Sequence, residues 1–137
     1  MITNVPLMVV PLIVYNLVLF GLLGNTAPLL WDQPIMNVSM ISGAKWIMTL
    51  GDLMIVLGLV LLFFEILKAT RIGANSIVDH LLSTFIFVAF LVEFLLVEGA
   101  ATAVFFILMV MTMIDVLAGF SVSIRSATRD VSLGGGL

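Results

Sequence analysis

Asp115 lies in the run TAVFFILMVMTMIDVLAGFSVSI, which contains no other charged residue. Glu93 and Asp52 occupy similar settings, in IVDHLLSTFIFVAFLVEFLLV and WIMTLGDLMIVLGLVLLFFEIL, and Asn16 lies in the first apolar segment. A carboxyl at the centre of a membrane helix costs ~2.5–3.5 kcal/mol on the insertion scale, so its presence calls for a reason. The fourth segment can carry that cost, because eleven Val, Ile, Leu and Phe residues lie between Val104 and Val122. Each contributes roughly −0.3 to −0.6 kcal/mol. Tolerance is not a role. Three roles are open to Asp115: structural pairing between helices, proton or cation handling, and contact with a partner. Structural pairing stands first. If ions are handled instead, Asp115 is the central site, with Asp52, Glu93 and Asn16 as the remaining pathway candidates. For Asn16 the simpler reading is an interhelical hydrogen bond worth on the order of 1 kcal/mol.

Little else in the chain could do chemistry. There is no cysteine, so disulfides, thiolate metal sites and thiol nucleophiles are excluded. The single histidine, His80, cannot supply two axial ligands to a haem. His80, Asp79 and Glu65 do not match a recognised metal-ligand spacing. No Gly-rich phosphate loop, nucleophile elbow or paired-His motif is present. The chain is therefore not expected to be an enzyme, and neither metal nor cofactor is expected. Five basic residues cannot make a phosphate-binding face, so nucleic acid is not an expected partner.

A second group of residues has the types and spacing for packing. Gly51, Gly58 and Glu65 recur at intervals of seven and share one helical face. Small residues on such a stripe allow another helix to approach closely. With Gly119 they form the expected helix-packing or oligomer face. Glu65 lies three residues before Lys68, within reach of an ion pair. Asp79, His80, Lys68 and Arg71 form an expected polar cluster toward the cytoplasm.

These residues must be positioned by membrane helices. Hydrophobic residues make up 63% of the 137, and charged ones only 9%. Mean hydropathy is +1.35. A soluble domain of this size cannot hide so much apolar surface. Crossing a bilayer takes about 20 residues. The sequence predicts an all-α integral membrane protein, a bundle of four crossing helices over about 5–24, 46–67, 77–97 and 102–123. Residues 1–124 form the membrane domain. Met1 to Asn4 carry no Lys or Arg, so the first segment reads as a membrane helix and not as a signal peptide. Pro28 and Pro34 predict an interfacial connector over 25–45, with Trp31 at headgroup depth. Glu98 to Ala101 predicts a tight turn, making the last two helices a hairpin. The residues 125–137, ending in three glycines before Leu137, predict a flexible cytoplasmic tail.

Lys68, Arg71, Arg125 and Arg129 fall on one side of this layout and Lys45 on the other. That bias predicts both termini in the cytoplasm. The expected location is a bacterial inner membrane. The expected partners are the lipid bilayer and either further copies of the chain or other membrane subunits. The functional expectation is a non-catalytic accessory or self-assembling subunit of a membrane complex. The alternative is a small oligomeric proton or cation channel or transporter.

Overall fold

The computed structural model describes residues 4–21, 30–70 and 76–134. Its elements are helix α1 (Val9–Leu19), strands β1 (Pro34–Ser39) and β2 (Lys45–Thr49), and helices α2 (Leu50–Ala69), α3 (Ser76–Leu96) and α4 (Ala103–Gly134). A short 3-10 turn, Glu98–Ala100, joins α3 to α4. Three helical stretches, Leu50–Ala69, Ile77–Leu96 and Ala103–Val122, are long and apolar enough to cross a membrane. α1 is also apolar but has 11 residues, about 16 Å of rise, which is short of a bilayer core. Among the described residues the protein is thus a mostly helical bundle with three helices of membrane-spanning length and a fourth, shorter one.

α4 is the hub, with α2 and α3 each packed along it. The core consists of apolar groups on the facing sides, with Tyr15, Phe90, Phe105 and Leu108 fully buried. Outward faces remain apolar, as Leu53, Val56, Phe63, Phe85 and Leu95 illustrate. That inside-out distribution suits a lipid environment.

Gly51 and Gly58 allow the close approach of α2 to α4. A Cβ at Gly51 would sit 2.8 Å from Val104 Cγ2, and one at Gly58 would sit 2.8 Å from Leu108 Cδ2. The stripe recognised in the sequence is therefore used within the chain.

Four expectations need correction. First, the connector is not irregular throughout, because β1 and β2 form an antiparallel hairpin with Met36 opposite Met48 and Val38 opposite Trp46. Met36, Asn37, Val38, Ser39 and Met40 alternate apolar and polar, the period of a strand. Pro34 opens β1, a place where a proline is tolerated. Gly43, at φ +85°, supplies the left-handed residue of the turn, which the Met40 N–H to Ala44 O bond closes at 2.8 Å.

Second, α2 begins at Leu50 and not at Trp46. Thr49 is its N-cap: its hydroxyl accepts from the Asp52 N–H, and Asp52 accepts from the Thr49 N–H, a reciprocal capping box. Leu50 and Gly51 donate to the carbonyls of Gln33 and Trp31 at 2.9 and 2.8 Å, so two more unpaired helix-start donors are satisfied.

Third, Trp31 does not lie on the outer surface of the bundle. It is 4% exposed and stacks on Tyr15 with ring centroids 4.8 Å apart. The tyrosine ring offers it an apolar partner inside the bundle.

Fourth, α4 continues as helix through Gly134, into what was expected to be a flexible tail. No proline or glycine interrupts residues 120–133, and Ser, Thr and β-branched residues weaken a helix without stopping it.

Candidate functional site

The polar residues inside the bundle form two groups at different levels. Ser83 and Glu93, which mark those levels on α3, are ten residues or about 15 Å apart.

The first group joins α2, α3 and α4. Glu65 is 3% exposed, and its Oε1 lies 3.3 Å from Lys68 Nζ. Its Oε2 accepts the Leu7 N–H at 2.8 Å, while Lys68 Nζ donates to the Val5 carbonyl at 2.9 Å. The ion pair predicted from sequence is therefore also a clamp on the chain leading into α1. Asp115 is 4% exposed, and Ser83 hydrogen-bonds to it. Its Oδ2 has no hydrogen-bond partner among the described residues. Glu65 and Lys68 act on Asp115 electrostatically from α2.

Other members of this group serve packing. Thr112 is buried and returns its hydroxyl to the Met109 carbonyl at 2.6 Å. His80 is buried against Gly119, where a Cβ would lie 2.7 Å from Nδ1, and its ring is 5.3 Å from that of Phe120. Gly119 thus makes room for the imidazole, so α3 and α4 meet closely there. Asp79 is half-buried in the first turn of α3, where a carboxylate favours the helix dipole. Its Oδ1 is buried without a partner among the described residues. Arg71, expected in the same cluster, lies outside the described residues.

The second group lies near the α3–α4 turn. Asn16 Nδ2 donates to Glu93 Oε2 and to its own Leu12 carbonyl, both at 3.0 Å. Glu93 Oε1 is buried and has no partner among the described residues. Beside this pair, Tyr15 donates its hydroxyl proton to the Gly99 carbonyl at 3.0 Å. The 2.6 Å contact between Tyr15 and Thr102 is then donated by Thr102, whose oxygen also accepts the Phe105 N–H. Thr102 therefore caps the first turn of α4 and ties it to α1.

Asp52 belongs to neither group. Its carboxylate is exposed and is occupied by the Thr49 N–H and hydroxyl, each at 2.9 Å. It lies thirteen residues from Glu65 along α2, about 20 Å away. Asp52, Glu93 and Asp115 are therefore not brought together, whereas Asn16 and Glu93 are.

Sequence reasoning missed Tyr15 and Thr102, and it placed Ser83 on the Asp79 and Glu93 face of its helix without giving it a role. A signal existed for Thr102, a hydroxyl residue just before an apolar helix, and for Tyr15, beside Asn16 in an otherwise apolar segment. Chemically, the two groups supply carboxyl–amide, carboxyl–hydroxyl and carboxyl–ammonium contacts. Among the described residues, no cluster of three or more His, Asp or Glu side chains could hold a metal ion. No protein family, curated protein or solved structure compared with this chain matches it.

Proposed function

We propose that this chain is a small non-catalytic membrane subunit, assembling with copies of itself or with other membrane proteins, and that its intramembrane polar groups fasten the helices. The observation that carries this reading is the separate engagement of those groups. Glu93 is held by Asn16, Glu65 by Lys68 and Leu7, and Asp52 by Thr49. An ion route needs acids that share one path, whereas each of these three is engaged by its own local partner. Exposed apolar faces on all three long helices supply surface for lipid and companion subunits. Four crossings, with both ends on the cytoplasmic side of a bacterial inner membrane, belong to the same reading.

Native mass spectrometry after gentle extraction from the source membrane tests it. The reading predicts a homo-oligomer or a complex with other membrane proteins. A lone 14.8 kDa chain with bound lipid contradicts it.

One observation favours a second reading, an oligomeric proton or cation pathway. Asp115 Oδ2 is buried without a partner among the described residues, and such an oxygen can accept a proton or help bind a cation. That reading requires ion flux that depends on Asp115.

A further inference from the structure

We propose that residues 5–8 form a strap that closes the buried carboxyl of Asp115 off from water, and that the Glu65–Lys68 ion pair is its latch. This goes beyond the assembling-subunit reading, since it concerns access to one buried group whatever the chain assembles with.

Asp115 is nearer one end of the bundle than the other. Seven residues, about 10 Å of helix, separate it from Val122 at the end of its apolar span. Twelve residues, about 18 Å, separate it from Ala103 at the start. Ser83, its partner on α3, and Glu65, its charged neighbour on α2, are six and four residues from Ile77 and Ala69, the ends of their own spans. Water's shortest approach to Asp115 therefore comes from the end where Glu65 lies. Yet Asp115 and Glu65 are only 4% and 3% exposed.

Residues 5–8 supply cover at this end. Pro6 and Met8 are buried. Glu65 accepts the Leu7 N–H at 2.8 Å, and Lys68 donates to the Val5 carbonyl at 2.9 Å. A donor and an acceptor of the strap, two residues apart, thus meet opposite charges that stand 3.3 Å from each other. Both charges also act on Asp115. The latch binds the strap directly and Asp115 through its field.

A purely apolar cover would need no charges, whereas this closure depends on two. α2 and α3 pack directly along α4, so the strap can lift without separating the three long helices. Its own backbone keeps its shape when it does, because the Val9 and Val10 N–H groups turn back to the Pro6 and Leu7 carbonyls. Local opening of such a segment costs less than global unfolding. Lifting it opens to water the Asp115 Oδ2, which has no hydrogen-bond partner among the described residues.

The chain has no cysteine, so S83C places a single thiol beside Asp115. The full chain in lipid nanodiscs is treated with a positively charged methanethiosulfonate, which reacts with thiols that water reaches, and labelling is followed by intact mass. Two variants release the strap. Leu7→Pro removes the donor that Glu65 accepts and leaves both charges in place, at a position ahead of a helix where proline is tolerated. Lys68→Met removes the other tie. The expected result is slow labelling of S83C alone and labelling about tenfold faster with either release, the gain in open population when a hydrogen bond to a charged group is lost. The same release should leave A100C, buried in the α3–α4 turn at the opposite end of the bundle, at its own slow rate. Fast labelling of S83C with the strap intact overturns the proposal, as does an unchanged rate after release. Equal acceleration at A100C also overturns it, since the whole bundle has then loosened. None of these outcomes alters the complex that native mass spectrometry finds, so the subunit reading stands or falls apart from the strap.

Discussion

Asn16 on α1 and Glu93 on α3, 77 positions apart, meet through a 3.0 Å hydrogen bond from amide nitrogen to carboxylate oxygen. It joins the shortest helix to one of the long ones, where a polar group without a partner is costly. Asn16→Ala should therefore lower stability by about 1–3 kcal/mol, because it leaves a buried carboxylate without its donor. Adding Glu93→Leu should recover most of the loss. Thermal unfolding in micelles checks the pair; additive losses would contradict the pairing.

The Glu65–Lys68 clamp makes a different prediction. Removing one member leaves its partner charge uncompensated and costs more than removing both. Glu65→Gln or Lys68→Met alone should destabilise the protein more than the double substitution. Amide exchange at Leu7 should accelerate in Glu65→Ala, since its acceptor is gone. Protection unchanged at Leu7 would show that the clamp does not hold α1.

Gly58→Val places a branched side chain where a Cβ alone would approach Leu108 Cδ2 to 2.8 Å and Met111 Sδ to 2.9 Å. Overpacking of this kind should cost about 1–3 kcal/mol. Leu108→Ala in the same chain should relieve part of it. A wild-type melting curve for Gly58→Val would mean that α2 and α4 are not packed on this stripe.

Much of the architecture was legible because bilayer-length apolar runs are a strong signal. The three long helices, the burial of Asp115 and the Glu65–Lys68 pair were all readable from spacing. The hairpin is harder to read, because Pro28 and Pro34 signal only a break in helix and the alternation from Met36 to Met40 is a short strand signal beside them. Trp31 was placed by the habit of tryptophan at interfaces; its stack on Tyr15 is a tertiary contact that no local pattern encodes. The role of Ser83 is hidden for the same reason, since its partner lies on another helix, whereas Thr102 carries a local signal as a hydroxyl residue just before an apolar helix. Conversely, the glycine stripe was recognised but its partner was not, because spacing cannot tell whether the approaching helix belongs to the same chain.

Thr49 and Asp52 offer a further test of role. Thr49→Ala should accelerate exchange of the Asp52 amide and lower the melting temperature modestly, as loss of an N-cap does. Asp52→Asn should leave any ion conductance unchanged, because this carboxylate is engaged at the exposed start of α2. Conductance that falls with Asp52→Asn would move it back onto a pathway.

The most direct test of the fastener account is ion flux in sealed liposomes carrying the purified full chain, compared with Asp115→Asn. If the intramembrane carboxyls hold helices together, neither protein conducts protons or monovalent cations above protein-free vesicles. A proton or cation flux present in the wild type and abolished by Asp115→Asn, with the oligomer intact, would contradict the account and make Asp115 a transport site.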